Sequence, residues 1–303
     1  MKRITPRLLR GWPLPELDGR GGKRARGTVV VVGGSTQVPG AVVLAAVAAL
    51  RAGAGRLQIA TARSAAPHVA VSVPEARVVA LAVDRKGELA RANQRLIAAL
   101  LDDATTLLLG PGMRDVPLCG ALQRSVAARH EQPVVVVDAG ALQAVPSGIA
   151  NLVLTPHAGE AARMLDTTAA AIARHPLAAA TRLAQDHRAT VVLKGDRTLV
   201  VDPEGAAYEN VAGNLGLGTS GSGDTLSGVI AGLCARGATP PQAAVWGVHA
   251  HAVAGDRLAR RIAPLGYLAR ELLAEIPALV AAWSHRQPTR PARARRVSTS
   301  RIG

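Results

Sequence analysis

The densest group of chemistry-bearing residues is Gly213-Asn214-Leu215-Gly216-Leu217-Gly218-Thr219-Ser220-Gly221-Ser222-Gly223-Asp224, which runs into the apolar stretch Thr225 to Leu233. Glycines allow close backbone approach, and consecutive N–H groups at a helix N-terminus, with the partial positive charge there, form an anion cradle. Gly221, Ser222 and Gly223 are the expected cradle, and phosphate is its natural guest. Asp224 stands at the mouth of that helix and has two readings. It caps the helix, or it is the base that takes a proton from a hydroxyl attacking a phosphate in the same loop.

The same run matches G-x-G-x-x-G at Gly216, Gly218 and Gly221. No strand directly precedes it and no acidic residue stands about 20 residues beyond, so the dinucleotide-binding context is missing. Neither a Walker G-x-x-x-x-G-K-[ST] nor a G-x-S-x-G elbow occurs, which removes P-loop hydrolysis and α/β-hydrolase chemistry.

Other candidates lie at predicted strand ends. Lys194 follows Val191-Val192-Leu193 and precedes Gly195, where an ammonium can meet a phosphate or simply face solvent. Lysine is scarce, four against 32 arginines, so its use there is informative. His157, in Leu154-Thr155-Pro156-His157-Ala158-Gly159-Glu160, is a structural histidine or one that faces a ligand, and Glu160 is expected to cap the following helix. Asp138, after Val134 to Val137, is a loop carboxylate or holds a ligand or metal-bound water. His249 and His251 form H-x-H on a predicted helix, roughly 200° apart, and are read as non-ligands.

Elements that position these loops alternate. β-Branched runs (27–32, 105–109, 133–137, 150–154, 190–193) are followed by loops and then by Ala/Leu-rich stretches such as 41–52 and 118–128 with helical spacing. Val29 to Val32 and Val134 to Val137 are apolar at every position, as expected where helices cover both sheet faces. The fold class is therefore α/β, with a mostly parallel sheet. One antiparallel hairpin is predicted, 198–201 and 206–210 about the turn Asp202-Pro203-Glu204-Gly205. Helices are expected over 223–233, 241–261 and 271–283. Ligands in such folds sit at the carboxyl ends of strands, where these loops are.

Composition sets the bounds. A 303-residue chain with 49% hydrophobic residues buries a sizeable core. No stretch reaches the roughly 18 apolar residues of a membrane span, and Gly11-Trp12-Pro13 interrupts any secretory core segment, so a cytoplasmic protein is expected. Cys119 and Cys234 lack metal or redox spacing. The net charge of +15 is concentrated at the ends: +6 in residues 1–26 and +6 in 286–303. Residues 1–22 and 286–303 are read as basic disordered tails flanking one domain over 23–285, with polyanion binding as an alternative role for the tails. Aromatics make up 2% of the chain, leaving few rings for bases to stack on.

Taken in order, the motifs resemble the NAD(P)H-hydrate dehydratases of the ribokinase-like superfamily over about residues 23–283. They are Gly27-Thr28 with Gly33-Gly34-Ser35 and Gly40-Ala41; Leu44 to Ala46 with Arg51-Ala52-Gly53-Ala54-Gly55; Gly110-Pro111-Gly112; Asp138-Ala139; Leu154 to His157 with Gly159-Glu160; Leu193-Lys194-Gly195 with Thr198; and Gly213-Asn214 through Gly221 to Asp224. The resemblance implies a three-layer αβα sandwich. It also implies a repair enzyme that dehydrates the S form of hydrated NADH or NADPH, with ADP cleaved to AMP and phosphate and with Mg²⁺. On the same ground Ala41, Gly112, His157 and Asp224 line the hydrated-nicotinamide site, while Lys194, Gly195, Asp196, Arg197, Thr198 and Gly223 contact the nucleotide. A homotetramer and an NAD(P)H-hydrate epimerase in the same pathway are further implications.

This chain departs from the family pattern in three places, one of them Val38-Pro39 in the loop after Gly34, where an aromatic is common. Gly140 stands where a second Asp is usual, and Ser220 replaces the first glycine of Thr-Gly-Gly-Ser-Gly-Asp; were Ser220 to need positive φ, it would cost about 1 kcal/mol or more. The competing readings are a ribokinase-like kinase of the hydroxymethylpyrimidine or thiazole type, and an inactive fold whose tails bind nucleic acid.

Overall fold

The structure, a computed structural model, describes residues 1–16, 22–114, 118–145 and 148–284. Its strands are β1 (Lys2–Arg3), β2 (Thr28–Val32), β3 (Arg56–Ala62), β4 (Arg77–Leu81), β5 (Thr106–Leu109), β6 (Val134–Val137), β7 (Leu152–Leu154), β8 (Thr190–Leu193), β9 (Thr198–Val201) and β10 (Ala207–Asn210). The helices are α1 (Pro6–Gly11), α2 (Gly22–Ala25), α3 (Gly40–Arg51), α4 (Ala66–Ser72), α5 (Gln94–Leu100), α6 (Cys119–Ala127), α7 (Ala158–Met164), α8 (Ala169–Arg174), α9 (Pro176–His187), α10 (Ser222–Ala235), α11 (Pro240–Arg261) and α12 (Ala269–Ser284).

All ten strands form one sheet in the order β1-β10-β9-β8-β7-β6-β5-β2-β3-β4, parallel except where β9 pairs antiparallel with β8 and β10. The valine runs divide between the two faces as continuous apolar strands must. Val29, Val31 and Val136 join the core under α3, α10, α11 and α12, while Val30, Val32, Val135 and Val137 join the core with Ile97, Leu122 and Leu183 on the other face. The predicted hairpin is present, with Asp202 Oδ1 accepting from Ala206 N at 2.7 Å and Gly205 at φ 88°.

Chain order reverses between β2 and β5, which are neighbours although β3 and β4 lie on the far side of β2. In an open α/β sheet that reversal opens a crevice at the strands' carboxyl ends. Here the loops after β2 and β5 meet: Gly34 N donates to Pro111 O at 2.8 Å and Ser35 N to Gly112 O at 3.1 Å.

Helices α3 and α10 pack unusually closely. A Cβ on Gly228 would lie 2.2 Å from Ala45 O, and one on Gly232 would lie 2.3 Å from Ala49 O. Each interior glycine costs a helix about 1 kcal/mol relative to Ala, a cost tolerated where backbones must approach. The pairings advance by four residues on both helices, so the two run parallel with their N-termini at the same end.

The N-terminal reading is corrected in part. Residues 1–16 are ordered on the body rather than forming a disordered tail. Strand β1 extends the sheet beside β10, Thr5 Oγ1 caps α1 by accepting from Leu8 N at 3.2 Å, and Ile4, Leu9 and Leu14 are buried. Trp12 O accepts from Trp246 Nε1 at 3.0 Å and from Gln242 Nε2 at 3.2 Å, satisfying two donors of α11. The Arg-rich 286–303 segment lies outside the described residues. Strands β3 and β4 were not anticipated from the sequence.

Candidate functional site

Extending the α3/α10 register one turn toward the N-termini sets Ala41 opposite Asp224. Residue Gly221, immediately before α10, sits at φ 84°, and a Cβ on it would fall 2.4 Å from Leu44 Cδ1 of α3. The positive φ is carried by Gly221, whereas Ser220 is not among the positive-φ residues, so the anticipated strain at Ser220 does not arise. Ala41 and Gly112 are neighbours: a Cβ on Gly112, itself at φ 69°, would lie 2.9 Å from Ala41 Cβ.

Opposite the α10 N-terminus, Lys194 directly follows β8. Its N–H donates to Pro156 O at 2.8 Å, which ties the β8 end to the loop after β7. The Lys194 ammonium lies 2.9 Å from Asp138 Oδ1 and 3.8 Å from Glu160 Oε2. Asp138 is buried and also accepts from Thr155 Oγ1 at 2.7 Å. Burial pulls the Lys194 pKa down, but Asp138, Glu160 and Asp224 outweigh it and hold the ammonium above its usual value. Asp224 responds in the opposite direction. Burial and the neighbouring Asp138 carboxylate push it up to about 7, against the Lys194 charge and with a further upward push from Glu160.

His157 caps α7. Its Nδ1 accepts from Gly159 N at 3.0 Å and Glu160 N at 3.2 Å, while Glu160 Oε2 accepts from His157 N at 2.8 Å. The Glu160 capping role expected from the sequence is thus realised as a reciprocal capping box. With Nδ1 an acceptor, the neutral ring carries its proton on Nε2.

A cavity of about 760 Å³ opens among these elements. Of the predicted site residues, His157, Lys194, Gly195, Asp196, Thr198, Ser222 and Gly223 line it. Arg197 turns away: its guanidinium is 3.1 Å from Glu209 Oε1 and largely exposed. Ala41, Gly112 and Asp224 are not in this lining. Other lining residues were not proposed from the sequence as site residues, His251, Asn210 and Asn214 among them. His251 sits with Nε2 3.1 Å from Ser222 Oγ, Asn210 bonds His249 Nδ1 at 2.9 Å, and Asn214 is held by Asp256 and Tyr267 at 3.0 and 2.8 Å. Because these partners lie 29 to 53 residues apart, only the fold reveals most of them. The H-x-H pair diverges as expected, each ring serving a different partner.

At Gly140, a Cβ would come within 2.2 Å of Met113 O. The backbone after β5 occupies the space a side chain would need, so glycine is required there by close approach. Among the described residues no three of His, Cys, Asp and Glu converge as a metal site. Magnesium commonly takes one or two carboxylates together with a substrate's phosphates, so its binding does not depend on such a cluster.

The family model of NAD(P)H-hydrate dehydratase matches residues 29–278. An ADP-dependent (S)-NAD(P)H-hydrate dehydratase of Xanthomonas campestris is 44% identical over 92% of this chain and 96% of its own. A bifunctional NAD(P)H-hydrate repair enzyme of Moorella thermoacetica is 38% identical over 87% of this chain, which spans 51% of that protein. The crystal structure of an ADP/ATP-dependent NAD(P)H-hydrate dehydratase from Bacillus subtilis, co-crystallised with ATP and Mg²⁺, superposes with a TM-score of 0.79 at 28% identity, over 93% of this chain and 98% of that one. A hydroxyethylthiazole kinase from Pyrococcus horikoshii shares the fold, with a TM-score of 0.54 at 14% identity, and gives the kinase alternative no further support. Fold, sheet topology and motif order agree with the match: the chain belongs to the NAD(P)H-hydrate dehydratase family, on the ribokinase-like fold.

Proposed function

We propose that the chain restores NADH or NADPH by dehydrating its S hydrate with ADP as phosphoryl donor. The observation that carries this reading is the meeting of Asp224, Lys194 and the α10 N-terminus beside a cavity of about 760 Å³. In this reading Asp224 takes the proton from the ring hydroxyl as its oxygen attacks the terminal phosphorus of ADP. AMP leaves, and the phosphorylated oxygen then departs as phosphate, with loss of a ring proton, to restore the reduced nicotinamide.

Each predicted residue has a part. Amides of Gly221, Ser222 and Gly223 hold the transferring group, and Lys194 neutralises charge beside it. Gly195, Asp196 and Thr198 border the nucleotide, whereas Arg197 contributes through its ion pair with Glu209. Ala41, Gly112 and the Nε2–H of His157 face the hydrated nicotinamide. Magnesium bound with ADP would supply charge neutralisation at the phosphates. ADP rather than ATP follows the naming of the Xanthomonas relative. A homotetramer, a cytoplasmic location and supply of the S form by an epimerase belong to the same proposal. No helix among the described residues is long and apolar enough to cross a membrane.

The test is recovery of reduced-nicotinamide absorbance from S-hydrated NADPH with Mg²⁺ and ADP, ATP or no nucleotide. Recovery with ADP, abolished in Asp224→Asn, is expected. Folded protein that gives no recovery with either nucleotide overturns the reading.

A further inference from the structure

The two histidines of α11 do different work. His249 is bonded to Asn210 and packs on Trp283 with ring centroids 5.0 Å apart. His251 instead reaches across to the first residue of α10, placing Nε2 3.1 Å from Ser222 Oγ. Both members of this pair are nearly enclosed, Ser222 at 5% and His251 at 8% exposure, and both border the cavity. Burial pushes the ring down to about 4, with a backbone hydrogen bond at Ser222 opposing and the Lys194 charge adding to the shift. The ring is therefore neutral at working pH.

A neutral imidazole carries one N–H, so its bond to Ser222 has one of two polarities. With the proton on Nδ1, Nε2 accepts the Ser222 hydroxyl proton and Oγ is left with lone pairs for the cavity. An incoming phosphoryl oxygen would then meet another acceptor. With the proton on Nε2, the ring donates to Oγ and the hydroxyl proton is free to point at the anion. The rest of the site has already chosen: a helix N-terminus and the Lys194 ammonium both present positive charge there. Only the second polarity agrees with them.

We propose that His251 is a positioning residue which, as its Nε2–H tautomer, turns the Ser222 hydroxyl into a hydrogen-bond donor for the transferring phosphoryl group. The ring carries no proton to or from substrate; it fixes the direction of a hydroxyl that does touch the anion. The proposal rests on the dehydratase reading in naming that anion as a phosphoryl group.

The direct test is ¹⁵N NMR of histidine-labelled protein with ADP bound, using His251→Gln to identify the His251 resonances. Protonated Nε2 is expected, and a proton on Nδ1 overturns the proposal. Kinetics gives a second arm. His251→Leu and Ser222→Ala should each lower kcat by ~10²-fold, as loss of one oriented donor does, while the double variant loses no more than either alone. KM for ADP should stay within about threefold, and His251→Gln, whose amide N–H can replace Nε2–H, should recover most of kcat. Multiplying losses, or a raised KM at unchanged kcat, would refute the assignment. Should His251→Leu fail to fold, the tautomer decides alone. Wild-type protein without turnover would sink the dehydratase reading yet leave the tautomer measurement decisive for this one.

Discussion

Asp224→Asn is expected to keep the fold and nucleotide binding and to lose ~10²- to 10⁴-fold in kcat, the range for a positioned base. Because its pKa is pushed up to about 7, the kcat/KM profile should rise with pH through that value as the carboxylate forms. Lys194 opposes that shift, so Lys194→Gln should move the rising limb to higher pH as well as slowing turnover. A stability consequence has the opposite sense. A folded-state pKa raised above the unfolded value means the native carboxylate resists ionisation, so stability falls as pH rises from about 4 through 7. Asp224→Asn should therefore melt higher than wild type at pH 8, with the gain shrinking as pH falls toward 4. Equal melting temperatures at pH 8 would argue against an unfavourably buried carboxylate.

Helices α3 and α10 set the spacing of the site because nothing larger than hydrogen separates them at Gly228 and Gly232. Gly228→Ala should force them apart, since its Cβ would sit 2.2 Å from Ala45 O. A loss of ~1–3 kcal/mol is expected from such overpacking, together with weakened turnover, readable by denaturant melts and steady-state rates. Gly140→Asp should likewise destabilise rather than improve the enzyme, because Met113 O already fills that space at 2.2 Å from the would-be Cβ. Much at this scale was legible in sequence. The valine runs announced a sheet covered on both faces, the Asp202 turn announced the hairpin, and the glycine run located α10 to within a residue or two. Strands β3 and β4 were missed: Arg56-Leu57-Gln58 carries polar residues between apolar ones, and Arg77 to Leu81 is an edge strand in which only Leu81 is buried. The cluster of Lys194 with Asp138 was also unreadable, since 56 residues separate partners that only the parallel pairing of β6, β7 and β8 unites.

Across the whole molecule, charge misled where burial decided. Residues 1–16 look like a tail by composition, yet three apolar side chains, one added strand and the Trp12 carbonyl dock them on α11 and β10. Deleting residues 1–16 should lower the melting temperature by several degrees, since it bares the apolar surface that Ile4, Leu9 and Leu14 cover and leaves Trp246 Nε1 and Gln242 Nε2 without their acceptors. An unchanged melt would mean that the segment contributes nothing to the body.

The same docking decides what light can report. The protein has three tryptophans, and they meet end to end: Trp246 bonds the Trp12 carbonyl and packs edge-on against Trp283 with centroids 6.3 Å apart. None of them lines the 760 Å³ cavity. Intrinsic emission is thus a gauge of whether the first sixteen residues are seated, and its red shift would mark their release before the body unfolds. Nucleotide binding needs a label of its own.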